Sequence, residues 1–364
     1  MKKLAIFISA VALVCFSVPA MAADDWSFYA NARMATFWVD DDFGDTVTPP
    51  ADDNDADLQW DLQGNSRFGG RVKHEAVAGH FELGLKGTDG GDVDVGTRRI
   101  YGTWNFGAGT LKVGKDYTPI NQFLSGQVFG SDNGLLGSGF LYGGRPGNIS
   151  LTFGGFEVAL ITPKSDTISF SAGADVDEYL PKIEAKYGMG FDTWNFAIRG
   201  GAQTYEVEDV VSTVTSLTDD VDVTSYFIGA DGGVNFGPAY VKAAISYGQN
   251  MGNARWTGGA GAWDNDDDLD DNDTIQGGLV VGMKVSDMLT LEAGGGYRVD
   301  DLDGNNTQKQ KTWAGYGQAV VQLAPGVFII PEFGYFDNGE SVTKSALDDL
   351  GDRWYAGAKW QINF

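Results

Sequence analysis

The last eleven residues constrain the fold more than any other segment. Trp354, Ala356, Ala358, Trp360, Ile362 and Phe364 alternate with Tyr355, Gly357, Lys359, Gln361 and Asn363. Strand side chains point alternately to the two faces of a sheet, so one face here is apolar and the other polar. The apolar face ends on an aromatic ring at the final residue. Such a strand fits a barrel whose outside meets lipid and whose inside meets water. On this segment alone, an ordinary edge strand is the competing reading.

The other end points to export. Lys2 and Lys3 precede an apolar run from Leu4 to Val18, and Ala20-Met21-Ala22 has the A-x-A form of a cleavage site. This predicts a signal peptide over residues 1–22, cleaved after Ala22, and one mature barrel domain over 23–364. The apolar run is too short to cross a bilayer. Cys15, the only cysteine, lies in the leader, and Val14 is not the small residue that a lipoprotein site needs. No disulfide, lipid anchor or thiol chemistry is expected of the mature chain. No later segment reads as a transmembrane helix. The exported chain is therefore either soluble or a barrel in the outer membrane.

Composition favours strands. The chain has 52 Gly and 10 Pro, and 13% of its residues are aromatic, which suits many short strands joined by glycine turns. A formal net charge of −25 excludes a nucleic-acid partner, which needs a basic face. The acid is gathered in blocks at 40–42, 52–57, 264–273, 300–303 and 348–349. Between Trp26 and Phe364 the chain reads as roughly sixteen alternating segments, with short turns on one side and long loops on the other. The expected tight turns are 77–79, 107–109, 154–155, 190–192, 237–238, 287–288 and 325–326. A barrel of that size leaves an aqueous channel, where an eight-stranded one fills itself.

Parity divides each strand into a lipid face and a lumen face. Arg67, Arg71 and Lys73 share one face opposite Phe68 and Val72, and Arg99 and Tyr101 stand opposite Ile100. Lys112 lies between Leu111 and Val113, and Arg145 opens the next strand. Cations on so short a face are costly unless water reaches them. By parity the lumen carries roughly sixteen Lys or Arg against about nine Asp or Glu. The third long loop, Thr118–Gly144, holds Phe123, Leu124, Val128, Phe129, Leu135, Leu136, Phe140, Leu141 and Tyr142, and a single acid, Asp132. An apolar loop of this length does not belong in water. The free surface for it is the barrel's inner wall.

These features resemble the general trimeric porins of the Gram-negative outer membrane. Phe140-Leu141-Tyr142-Gly143-Gly144-Arg145-Pro146-Gly147 looks like that family's return from its inserted third loop, and Val113-Gly114-Lys115-Asp116-Tyr117 like the entry. The resemblance implies a 16-stranded all-β transmembrane barrel with short periplasmic turns, long extracellular loops and the third loop folded into the lumen. It also implies a pore constriction that includes Arg67, Arg71, Lys73, Arg99, Lys112, Asp116, Asp132 and Arg145. The acidic Pro-Glu-Phe-Gly tip of the family's loop is absent, which argues against a strong transverse field. The ending resembles the C-terminal assembly signal of outer-membrane barrels, with Trp360, Ile362 and Phe364 as its apolar face. Implied partners are outer-membrane lipid and lipopolysaccharide, the barrel-assembly machinery, small hydrophilic solutes, and two further copies in a homotrimer.

Other chemistries find little support. Asp264 to Asp270 lacks the turn glycine and closing Glu of a calcium loop, although weak divalent binding at a lipopolysaccharide surface stays open. His74 and His80 flank one turn, and no Gly-x-Ser-x-Gly or His-Glu-x-x-His accompanies them. Gly294-Gly295-Gly296 sits in a strand pattern and is not a phosphate loop. No enzyme, cofactor or metal is expected. The expected function is passive diffusion of small hydrophilic solutes and ions. The alternatives are a channel selective for an oligosaccharide or an anion, a non-transporting adhesin or structural barrel, and a soluble secreted sandwich.

Overall fold

The computed structural model describes residues 25–42, 56–87, 93–165, 175–211, 218–263, 269–344 and 349–364. The leader and the acidic stretches at 52–55, 264–268 and 348 lie outside the described residues.

Alternation becomes a closed antiparallel wall. The strands are β1 (Asp25–Asp42), β2 (Asp57–Leu62), β3 (Ser66–His74), β4 (Val77–Gly87), β5 (Val93–Asn105), β6 (Thr110–Lys115), β7 (Gly147–Phe153) and β8 (Phe156–Ile161). They continue as β9 (Asp175–Asp177), β10 (Lys182–Gly190), β11 (Trp194–Val211), β12 (Thr218–Phe236) and β13 (Ala239–Gln249). The two-residue pair β14 (Ala262–Trp263) and β15 (Leu269–Asp270) lies in a loop. The wall ends with β16 (Asn272–Lys284), β17 (Leu289–Leu302), β18 (Lys309–Ala324), β19 (Val327–Asp337) and β20 (Asp352–Asn363). The main sheet has 18 strands, but β2 with β3 and β9 with β10 each make one interrupted stave, so the barrel has 16. β1 closes it by pairing with β20 from Asn31↔Asn363 to Asp42↔Asp352. Ala30 and Phe364 exchange both backbone hydrogen bonds at that seam, 2.7 and 3.0 Å.

The apolar parity faces outward. Trp26, Phe28, Phe68, Ile100, Trp104, Ile245, Phe333, Trp360, Ile362 and Phe364 are all exposed, as a lipid-facing belt requires. Aromatic pairs gather at both rims. Phe191 stacks on Trp194 at 4.1 Å beside a short turn, and Tyr335 lies 4.5 Å from Trp354 toward the long loops. Such girdles suit the membrane–water boundary, where a ring can be half apolar and half wet.

Two expectations need correction. The first tight turn is Glu75-Ala76 rather than 77–79, with Glu75 at φ 49°. β4 therefore starts at Val77, and its ladder to β3 reaches His74↔Val77. Several strands also run past the lipid into the acidic blocks. β1 includes Asp40–Asp42, and β17 extends through Asp300 and Asp301. Cross-strand ion pairs let the ladder continue there: Arg353 with Asp41, and Lys309 with Asp301 at 2.6 Å.

Candidate pore constriction

The third loop folds inward because the wall offers it apolar ground and hydrogen-bond acceptors. Ile120, Leu135, Phe140 and Leu141 are fully buried, and Val128 and Phe129 nearly so. Phe129 stacks on Tyr355 at 3.9 Å and meets Phe37 edge-on at 5.3 Å. Leu135 and Phe140 pack on Val280, Ala314 and Tyr316. The strand glycines now have a reason. A Cβ on Gly278 would come within 2.8 Å of the Phe140 ring, and one on Gly296 would overlap the Ser138 carbonyl oxygen. The Gly294–Gly296 run is part of the flat seat on which the loop's return limb lies.

Backbone amides of the loop are satisfied by carboxylates of the wall. Val128 and Phe129 donate to the two oxygens of Glu332 at 2.7 and 2.9 Å, and Gly126 donates to Glu292 at 2.7 Å. Buried donors must find such partners, since an unpaired one costs about 1–3 kcal/mol. Cations hold the loop's carbonyls: Lys242 on Leu124 at 3.0 Å and Arg298 on Gly137 at 2.7 Å. The tip docks on the break between β2 and β3, where Gln63 donates to the Val128 carbonyl and Asn65 to that of Ser131. These anchors run from β11 round through β20 to β3. The inner faces of β4 to β8 receive only the two ends of the loop.

The expected constriction residues separate into three groups. Arg99 and Lys112 share Asp116, at 2.6 and 3.1 Å, and Arg145 joins them through Tyr117. Arg67 lies 3.4 Å from Glu82, and Arg71 and Lys73 are exposed toward the short-turn end. Asp132 is closed in ion pairs with Arg33 and with Lys359 at 2.8 Å, two wall cations that the sequence reading did not single out. His80 faces the lumen between Tyr29 at 2.8 Å and Tyr101 at 3.2 Å.

Two further features escape alternation. Arg98 has the parity of the lipid face, yet it reaches Glu82 at 2.9 Å inside the barrel. A bulge opposite Glu82–Leu83 inserts Arg98 as an extra residue and turns two successive arginines inward. A second loop, residues 250–261, also enters the lumen. Met251, Ala254 and Trp256 are buried against Ile120, Leu141 and Phe227. Trp256 donates its indole N–H to Glu184 at 2.9 Å, and Lys182 donates to the Ala254 carbonyl at 2.9 Å. The signal was present in the sequence: no Asp or Glu occurs from Met251 to Trp263. The acidic block beginning at Asp264 masked it. Thr257 ties this loop to the return limb of the third one, and burial there pushes the Tyr142 phenol above its ordinary pKa.

A closed 16-stranded wall with an inserted third loop and an uncovered basic flank leaves a narrowed aqueous path. The family model for Gram-negative porins matches residues 9–363. The chain belongs to the Gram-negative porin family. Among solved structures, the porin resembles the outer membrane channel DcaP of Acinetobacter baumannii, with a TM-score of 0.71 at 16% identity over 95% of this chain and 99% of that one. It also resembles the anion-selective porin from Comamonas acidovorans, with a TM-score of 0.59 at 13% identity over 93% and 99%. The trimer form of OmpT from Vibrio cholerae gives 0.57 at 15% identity over 93% and 100%. Curated protein sequences contain no match to the chain. The porin is an outer-membrane diffusion channel.

Proposed function

We propose that this porin passes small hydrophilic solutes with a weak preference for anions, without catalysis. The constriction is set by Arg67, Arg71, Lys73, Arg99, Lys112, Asp116, Asp132 and Arg145. One observation carries the sign of the preference. The wall carboxylates Glu82, Asp116, Glu157, Asp231 and Asp300 each sit in an ion pair. Arg71, Lys73 and Arg145 have no carboxylate within 4.0 Å among the described residues. A unit charge at 4 Å in water is worth about 1 kcal/mol and is screened over about 8 Å at physiological salt, so the preference is modest. The reversal potential under a KCl gradient tests this. An anion-selective value at high salt is expected; a cation-selective one at high salt would refute the assignment.

The active form is a homotrimer in outer-membrane lipid and lipopolysaccharide, reached after cleavage behind Ala22. The exposed apolar face Trp360, Ile362 and Phe364 supports a role as the assembly signal. Deleting Phe364 should lower the folded, heat-modifiable protein in the outer membrane. Unchanged levels would remove that role.

A further inference from the structure

Phe123 is out of keeping with its loop. Ile120, Val128, Phe129, Leu135, Phe140 and Leu141 are between 0 and 4% exposed, whereas Phe123 is 54% exposed. It belongs to the loop that fills the lumen, so its ring faces channel water rather than lipid. The ring meets Tyr117 edge-on at 4.8 Å, and Tyr142 lies 6.3 Å away. Two guanidinium groups address the same cluster. Arg145 stands 5.1 Å and Arg99 5.3 Å from the Tyr117 ring centre. Arg99 is neutralised by Asp116, but Arg145 donates to the Tyr117 hydroxyl at 2.9 Å and has no carboxylate partner among the described residues. Beside it opens a cavity of about 840 Å³, lined by Tyr142, Arg145, Lys115, Lys164 and Lys182, with Glu178 the one acidic lining residue among the described residues.

We propose that Phe123, Tyr117 and Arg145 form a subsite for small aromatic carboxylates, at the entrance to the narrow path. The flat ring of such a solute covers the exposed edge of Phe123 and Tyr117. Its carboxylate takes the free donors of Arg145, whose planar fork matches a carboxylate in two-point contact. An aliphatic acid of equal charge satisfies only the arginine. A neutral aromatic satisfies only the rings. Aromatic pairing of this kind is worth a preference of roughly 3- to 10-fold over the aliphatic acid. That is weak enough for a solute to leave again, as passage through a channel demands. The subsite deepens the anion-preferring reading and rests on Arg145 facing the pore.

The test is current block in planar bilayers, using the folded porin in KCl with benzoate, acetate or benzamide added. Benzoate should reduce the open-channel current at concentrations about 3- to 10-fold below acetate, and benzamide should have no effect. Phe123→Leu and Phe123→Ala should each bring benzoate to the level of acetate, each variant's block being read against its own open-channel KCl current. The exposed ring makes both variants compatible with folding, and heat-modifiable migration on gels verifies it. Arg145→Gln should abolish the difference and also weaken the anion preference. Equal block by benzoate and acetate, or a benzoate effect that survives Phe123→Ala, overturns the subsite. Anion selectivity without that discrimination defeats the subsite alone. Phe123-dependent benzoate block in a pore without anion selectivity defeats the selectivity reading and leaves the subsite standing.

Discussion

On the half of the inner wall from β11 round to β1, the lumen is occupied, and carboxylates there are used up by loop amides or by neighbouring arginines, as Asp231 and Asp300 are. Glu292 and Glu332 accept amide hydrogens of the third loop, and Tyr316 and Tyr355 add hydroxyl donors. On β3 to β8 the wall is open. Its charges meet one another, as Arg67 and Arg98 do at Glu82, or they meet water, as Arg71 and Lys73 do. The two halves carry similar residue types with opposite consequences. Where the loop lies, charge fixes structure; where it does not, charge is left to act on solutes. A charged side chain in a wet lumen acquires its role from what covers it.

The comparison breaks most visibly if the loop is released. Glu292→Ala with Glu332→Ala leaves the amides of Gly126, Val128 and Phe129 without acceptors, at about 1–3 kcal/mol each. Single-channel conductance should rise and become noisy while the folded barrel persists. An unchanged conductance would mean that these carboxylates do not hold the loop. Gly296→Ala should act in the same direction with a smaller effect. The new Cβ collides with the Ser138 backbone rather than with a side chain that could rotate away, and overpacking of this sort costs about 1–3 kcal/mol. Solute-exclusion measurements with polyethylene glycols of graded size would register the displaced return limb; an unaltered cut-off would show that the seat tolerates a methyl group.

On the open half, Asp116→Asn should sharpen the contrast. It frees Arg99 and Lys112 together and should shift the permeability ratio toward anions by about fivefold at most, from about 1 kcal/mol at 4 Å in water. Reversal potentials before and after the change measure it, and a shift toward cations would reverse the assignment of this cluster. The smallest effect belongs to Arg98→Gln. If the bulge turns Arg98 into the lumen, the permeability ratio should move slightly toward cations. A side chain directed at lipid would alter insertion and leave selectivity alone.

Much of this arrangement could be read from the chain. Alternation around Arg67–Lys73 and Arg99–Tyr101 assigned the lumen face, and the apolar run in Thr118–Gly144 predicted an inserted loop. Both readings depend on one property, the side chain's preference for lipid or water, which is local. What escaped them depends on partners. The pairing of Asp132 with Arg33 and Lys359 joins a loop tip to two strands at opposite ends of the sequence. The inserted loop at 250–261 was hidden by the acidic residues that follow it. Strict alternation would put Arg98 on the lipid face because it has no place for an extra residue, and only the neighbouring strand's register reveals one.

By itself the sequence determined that the chain alternates, how many staves it makes, which way the side chains of regular strand segments face, and that one loop seeks the inner wall. Periodicity and hydropathy act residue by residue, and no folded partner is needed to read them. The tertiary structure decided which cations remain unpaired, which half of the lumen stays open, and that Phe123 is left in water beside Arg145. Those outcomes follow from distances between residues far apart in the chain. An ion pair at 3 Å removes a charge from the pore, and one left unmade does not.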